Sequence, residues 1–278
     1  MAVGPAHITI GWQTTTGNTM AEFTKKNLGQ HWLKDADSLQ AMCDAAGLQT
    51  DDYVLEIGPG MGTLTAFLIE QAAHVQAVEF DPALAVSLPG RIQSPKLEVV
   101  TQDILSFDFT NLPPRYKLVA NIPYYLTSNL IRVISETTNP PEVAVLLVQK
   151  EVAERVSAEP GDMSLLSVTA QFYWEVTVDR VVKAELFTPP PKVDSQVLVL
   201  TRRPASLFPD LDTKDFFRLV KAGYSQRRKT LLNSLSGGLQ IDKVAVKQLC
   251  ESVDIDPKRR AQTLSLEEWY NLYLSLNT

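Results

Sequence analysis

The chain has 278 residues, 45% of them hydrophobic, enough to bury one large core and a smaller one. No run of 18 apolar residues occurs, which argues against a membrane-spanning helix, and the N-terminus lacks the basic-then-apolar order of a secretory signal. The net charge of −6 argues against a nucleic-acid partner, but from Arg202 onward thirteen Lys and Arg stand against nine Asp and Glu, so that segment is basic.

Residues 1–20 are polar and aperiodic, and a disordered leader is expected there. Cys43 and Cys250 lie far apart without metal-ligand spacing, so both are expected as buried thiols in a reducing cytoplasm, with no metal site. Gln30, His31 and Trp32 precede a helix expected over 35–46, whose apolar face is Leu39, Met42 and Cys43 and whose stop is Gly47. A β-prone run, 53–57, leads into Gly58-Pro59-Gly60-Met61-Gly62 and a helical stretch over 63–72. Strand, glycine turn and helix N-terminus together form a ligand site, because glycines admit close backbone approach and the helix start offers free N–H groups. The spacing is not that of a pyrophosphate loop, and Glu56 at the strand end repels phosphate. A cationic nucleoside cofactor, S-adenosylmethionine, suits that acid better. The next strand, 74–78, ends in Glu79, where a ribose diol is accepted; a third, 97–101, leads to Asp103, a candidate for the adenine amine and also an ordinary helix cap.

A fourth strand, 116–120, delivers Asn121-Ile122-Pro123-Tyr124-Tyr125. An amide, a rigid proline and an aromatic beyond a strand end can hold a flat nucleobase by its amine; Tyr125 is expected to pack. Thr127 and Ser128 are expected to cap a helix reaching 135. Residues 143–148 read as a fully apolar, central strand, 151–156 and 164–172 as helices, 176–182 and 197–200 as two more strands. Between those strands, prolines brace the segment from Phe187 to Ser195, and Phe187 is either projected outward or a core aromatic. Beyond 204 only helices are expected, over 213–223, 227–235, 243–251 and 265–275, punctuated by Gly237-Gly238 and Asp256-Pro257. This divides the chain into 21–204 and 205–278. Three basic clusters in the second part suggest a phosphate-contacting surface, although any single charge is more often solvated.

The motifs GQHWL, LEIGPGMGTLT, VEFD, NIPYYLTS, FTPPPKVDS and DPKRRAQTLS, in that order, resemble the KsgA family of 16S ribosomal RNA adenine dimethyltransferases over roughly 25–275. The resemblance implies an α/β fold: a Rossmann-like class I S-adenosylmethionine-dependent methyltransferase sheet, seven-stranded and mostly parallel with helices on both faces, and a small all-helical C-terminal domain. It implies that Gln30, His31 and Leu33 enclose the cofactor, that Glu56, Gly58 and Gly60 meet its methionine end, Glu79 its ribose, Asp103 and Ile104 its adenine, and that Asn121 lies against it. The target adenine falls to Asn121, Ile122, Pro123 and Tyr124, with Phe187 as the second stacking face. RNA contacts fall to Arg218, Lys221, Arg227, Arg228, Lys229, Arg259 and Arg260. The implied partner is 16S rRNA in an immature small ribosomal subunit, met by a monomer in the cytoplasm without membrane involvement, leaving S-adenosylhomocysteine as product. His31-Trp32 departs from the family's usual Asn-Phe. A 23S rRNA adenine methyltransferase, a DNA adenine methyltransferase and a ribosome-assembly factor whose binding outweighs its catalysis remain as alternatives.

Overall fold

The structure, a computed structural model, describes residues 31–209 and 211–277; the expected leader 1–20 and Gln30 lie outside them. Short apolar runs bounded by turn residues form the strands β1 (Trp32–Leu33), β2 (Tyr53–Ile57), β3 (His74–Glu79), β4 (Leu97–Thr101), β5 (Lys117–Asn121), β6 (Val143–Gln149), β7 (Trp174–Val182), β8 (Phe187–Thr188) and β9 (Ser195–Arg202). Seven make one sheet in the order β4-β3-β2-β5-β6-β9-β7. The first five are parallel, and β9 runs antiparallel to both its neighbours. Val145 to Val148 on β6 are fully buried, as expected of a central strand covered on both faces. Separately, β1 pairs antiparallel with β8.

Helices α1 (Ala36–Ala45) and α2 (Thr63–Gln71) cover one face, where Leu39, Met42, Leu64 and Leu68 meet Val54, Val119 and Val145. On the other face α4 (Thr127–Glu136), α5 (Lys150–Val156) and α6 (Leu165–Tyr173) bring Leu130, Ile134, Ala153 and Ala170 onto Leu55, Leu118 and Leu146. Between β3 and β4 lies α3 (Pro82–Arg91), for which the sequence reading gives no element. Asp81 caps it by accepting from the Ala83 N–H at 2.9 Å, and Pro82 fits the first turn, where no N–H is needed. At the start of α4 the expected cap is absent. Its N-cap is Leu126, and the Thr127 hydroxyl instead donates to the Tyr124 carbonyl at 3.0 Å.

Beyond β9 the chain is helical: α7 (Thr213–Tyr224), α8 (Leu231–Leu239), α9 (Lys243–Glu251) and α10 (Leu266–Leu276). Helix α8 starts later than expected, because 225–229 form turns after α7. Gly237-Gly238 do not interrupt it. A β-carbon at Gly238 would lie 2.6 Å from the Ala222 Cα, so this glycine sets how closely α8 can cross α7. These helices enclose a second core of Phe216, Leu219, Leu231, Leu235, Val246 and Trp269, which Val168 and Phe172 of α6 also enter. The Phe172 and Phe216 rings stack at 5.2 Å.

Arg259, expected as an RNA contact, is engaged inside this region. Its guanidinium forms a two-pronged pair with Glu268 and donates to the Thr263 carbonyl at 2.6 Å, while Glu268 also accepts from the Ser265 N–H at the start of α10. The arginine thus fastens the 256–263 turn to α10. Replacing Arg259 with Ala strands a half-buried carboxylate and a carbonyl, and is expected to lower the free energy of unfolding by about 1–3 kcal/mol in a urea titration.

Candidate active site

Strands β3 and β4 lie on one side of β2 and β5 on the other, so the sheet reverses direction of winding between β2 and β5. Ligands of open α/β sheets bind beyond the strand ends at such a point. The parallel register sets Ile57 beside Ala120, so the glycine turn after β2 and the Asn121 turn after β5 leave the sheet at one level. Two adjoining clefts open there and share Gly58, Glu79 and Pro123. The first is lined by His31, Trp32, Glu56, Gly60, Asn121, Ile122 and Tyr124; the second by Phe80, Asp103, Ile104, Leu105, Tyr125 and Leu126.

Gly60 has a positive φ of 57°, and a β-carbon there would lie 2.0 Å from the Trp32 ring. The indole therefore rests directly on the glycine turn. Glu79 holds the same turn from below: one carboxylate oxygen accepts from the Gly60 N–H at 3.0 Å, the other from the Asp81 N–H at 2.9 Å. Burial raises the Glu79 pKa, and these backbone bonds oppose the rise. Asp103 takes the helix-cap role foreseen for it, capping the Ile104–Ser106 turn through the Leu105 N–H at 3.0 Å, and it lines the second cleft.

Glu56 is 1% exposed, and neither carboxylate oxygen has a hydrogen-bond partner of proper geometry among the described residues. Burial, eased by the nearby Thr65 hydroxyl and aggravated by the Glu79 charge, pushes this carboxyl up to about 8. An orphaned, buried acid on the wall of a cleft fits a positively charged ligand group, which would return it to its ionised form.

Asn121 ends β5 half-buried, followed by the buried Ile122. The Tyr124 hydroxyl lies 2.8 Å from the Ser195 Oγ, and the Thr127 bond fixes its backbone. Its ring runs nearly parallel to that of His31, at 22° and 6.0 Å between centroids, and His31 Nδ1 lies 2.7 Å from the Pro189 carbonyl. Three expectations change. Phe187 is 3% exposed, faces the α1–α2 side of the core beside Val182 and Val197, and does not line the cleft. Leu33, its partner across the β1–β8 pair, has its side chain fully buried in the same cluster and is not among the residues that line the two clefts. Tyr125 is 62% exposed at the second cleft, beside the 60% exposed Phe80, and does not pack. Trp32, Thr127 and Ser195 were not singled out from sequence for the roles they take; Ser195 closes the proline-braced motif, which was its one available signal. Of the basic residues, Lys221, Arg227, Arg228, Lys229 and Arg260 are exposed, and Arg218 pairs with Asp215 at 3.4 Å.

The sequence profile described as ribosomal RNA adenine dimethylase matches residues 21–277. The chain belongs to the ribosomal RNA adenine dimethylase family. It is 42% identical to the ribosomal RNA small subunit methyltransferase A of Dehalococcoides mccartyi strain 195, over 90% of this chain and 87% of the relative, and 39% identical to the protein of that name from Alkaliphilus metalliredigens, over 89% and 90%. Among solved structures, a dimethyladenosine transferase from Plasmodium falciparum superposes with a TM-score of 0.76 at 27% identity, covering 89% of this chain and 98% of that one. The 23S rRNA methyltransferase ErmE superposes with a TM-score of 0.70 at 28% identity, covering 89% and 100%. The Rossmann-like methyltransferase sheet with its helical C-terminal region is therefore the fold of the family, and the chain is a methyltransferase.

The state of Glu56 has a measurable consequence for this enzyme without ligand. Its carboxyl titrates near 4.5 unfolded and near 8 folded, so its contribution to stability is full below 4.5 and is lost as pH rises through 8. Glu56→Gln removes that slope. At pH 9 the variant is expected to be more stable than the parent by on the order of a few kcal/mol, with the difference vanishing near pH 4, as read from unfolding midpoints at both pH values.

Proposed function

We propose that the chain is a small-subunit (16S) rRNA adenine dimethyltransferase. It transfers methyl groups from S-adenosylmethionine to the exocyclic amines of adjacent adenosines near the 3′ end of the rRNA, during small-subunit assembly. The observation that carries this reading is the turn from Asn121 to Tyr124 emerging level with Glu56 at the β2–β5 switch point. Family membership supplies the base, and the small-subunit relatives at about 40% identity favour 16S over 23S rRNA as the target.

S-adenosylmethionine fits the residues present. Glu56 would face its positive charges, the Gly58–Gly62 turn its methionine end, Glu79 its ribose, and Asp103 with Ile104 its adenine. When bound, it supplies a methyl group on a sulfonium, an electrophile that needs no acid to activate its leaving group. The adenine amine is a poor nucleophile because its lone pair is delocalised into the ring. The Asn121 side-chain carbonyl and the Ile122 backbone carbonyl would accept its two N–H bonds and draw the nitrogen towards tetrahedral geometry. Pro123 brings no N–H to compete for those acceptors. Tyr124, fixed by Ser195 and Thr127, would stack on the base for roughly 1–3 kcal/mol. Orientation supplies most of the acceleration, and the surplus proton leaves to solvent after transfer.

The target base must be unpaired or flipped to reach this pocket. Residues 21–204 form the catalytic unit in this reading and 205–278 the unit that holds RNA, through Lys221, Arg227, Arg228, Lys229, Arg218 and Arg260. The protein acts as a monomer in the cytoplasm on an immature small subunit. The free thiols of Cys43 and Cys250 suit that compartment.

Asn121→Ala is expected to reduce methyl transfer to immature small subunits at least about 100-fold while leaving S-adenosylmethionine affinity within a few-fold, as the lost side-chain carbonyl is the acceptor for the base amine and the cofactor loses only a neighbouring contact. Parallel loss of cofactor affinity would move Asn121 out of the target site. Reversing the charges at Arg227, Arg228 and Lys229 is expected to weaken RNA binding and to flatten the slope of log affinity against log salt by about two to three. An unchanged slope removes this turn from the RNA interface.

A further inference from the structure

We propose that Tyr125 is a cofactor-binding residue, its ring covering the purine of S-adenosylmethionine in the cleft that Asp103 and Ile104 line. This rests on the reading of the two clefts as the cofactor site, and adds to that site a contact from the target turn itself. Tyr125 is 62% exposed, and its side chain makes no hydrogen bond or ring contact among the described residues. A large ring held in that state at the mouth of a cleft gains by being covered, because its apolar face then leaves water.

The backbone sets where the ring stands. Tyr124–Leu126 is one tight helical turn entered from Pro123. The Leu126 N–H closes it by donating to the Pro123 carbonyl at 3.0 Å, and the Thr127 hydroxyl donates to the Tyr124 carbonyl. Successive side chains of such a turn diverge by about 120°. Tyr124 accordingly lines the first cleft with Asn121, and Tyr125 lines the second. In the sheet β2 lies between β3 and β5, so Phe80, directly after β3, and Tyr125, beyond β5, flank the end of β2 from opposite sides.

What lies between them suits a purine. The floor is apolar, made by the buried Ile57, Val78 and Ile104. At the edge stands Asp103, with one carboxylate oxygen on the Leu105 N–H and the other without a partner among the described residues. A flat apolar body that carries an amine at one edge matches both features. A nucleotide of the RNA is the poorer occupant, since its phosphate would meet the carboxyl groups of Glu79 and Asp103 in the same cleft. One turn thus presents a ring to each of the two substrates, Tyr124 to the target base and Tyr125 to the cofactor.

The test measures the Kd of S-adenosylhomocysteine by calorimetry for the parent, Tyr125→Phe and Tyr125→Ala, and the KM for immature small subunits at saturating S-adenosylmethionine. Tyr125→Ala is expected to weaken S-adenosylhomocysteine at least about 5-fold, the lower end for one aromatic–base stack, with the RNA KM within about two-fold of the parent. Tyr125→Phe keeps the ring and is expected to stay within about two-fold of the parent in both. Nitration of Tyr125 in the parent by tetranitromethane, mapped by mass spectrometry, is expected to be blocked by saturating S-adenosylhomocysteine. Parental ligand affinity in the Ala variant overturns the proposal, whether or not the RNA KM rises; a rise would hand Tyr125 to the RNA. So does a Phe variant as weak as Ala, which would assign the effect to the hydroxyl, or nitration that a bound ligand leaves unchanged. A parent protein that binds no S-adenosylhomocysteine overturns the reading of the clefts, and the role of Tyr125 with it.

Discussion

The parallel register of β2 with β5 governs everything that the molecule can do at its strand ends. With Ile57 beside Ala120, a glycine turn and an amide–proline–aromatic turn emerge together. A one-residue slip would turn Asn121 to the opposite face of the sheet and take it out of the cleft that it lines with Glu56. The register is held by burial, since both strands are covered by apolar helices on both faces and neither can slide without exposing its side chains.

Within that frame the carboxylates divide the work according to what they bond. Glu79 is occupied by two backbone N–H groups and acts as a strut beneath the glycine turn. Glu56, one strand over, has no such bonds among the described residues and stays a buried acid that burial keeps protonated up to about pH 8. A site that leaves one acid unsatisfied while satisfying its neighbour is prepared for a ligand that brings the missing positive charge. The cost in stability is the counterpart of that preparation.

Much of this was legible in the chain itself, for a physical reason. Buried parallel strands need short continuous apolar runs, so β2 to β6 stand out, and Glu56, Glu79 and Asp103 are conspicuous because each interrupts or follows such a run. What stayed hidden depends on partners distant in sequence. Phe187 could face either way on a two-residue strand until its pairing with Leu33 was known. Arg259 looked like one of three clustered cations, and only the fold brings Glu268 against it. Gly238 resembled a helix stop because the approach of Ala222 from another helix leaves no local trace. Helix α3 was obscured by Pro89-Gly90 at its end, although Asp81-Pro82 mark its start.

Helix α6 gives the molecule a mechanical unity that its two-part sequence does not suggest. Ala170 faces the sheet, while Val168 and Phe172 reach into the core of the C-terminal helices, where Phe172 meets Phe208, Phe216 and Phe217. One rigid rod is thus a shared structural member of both parts. Melting either part strips α6 of one supporting side. Cutting the chain at the compositional boundary near 205 would bare an aromatic face on the larger fragment, at Phe172.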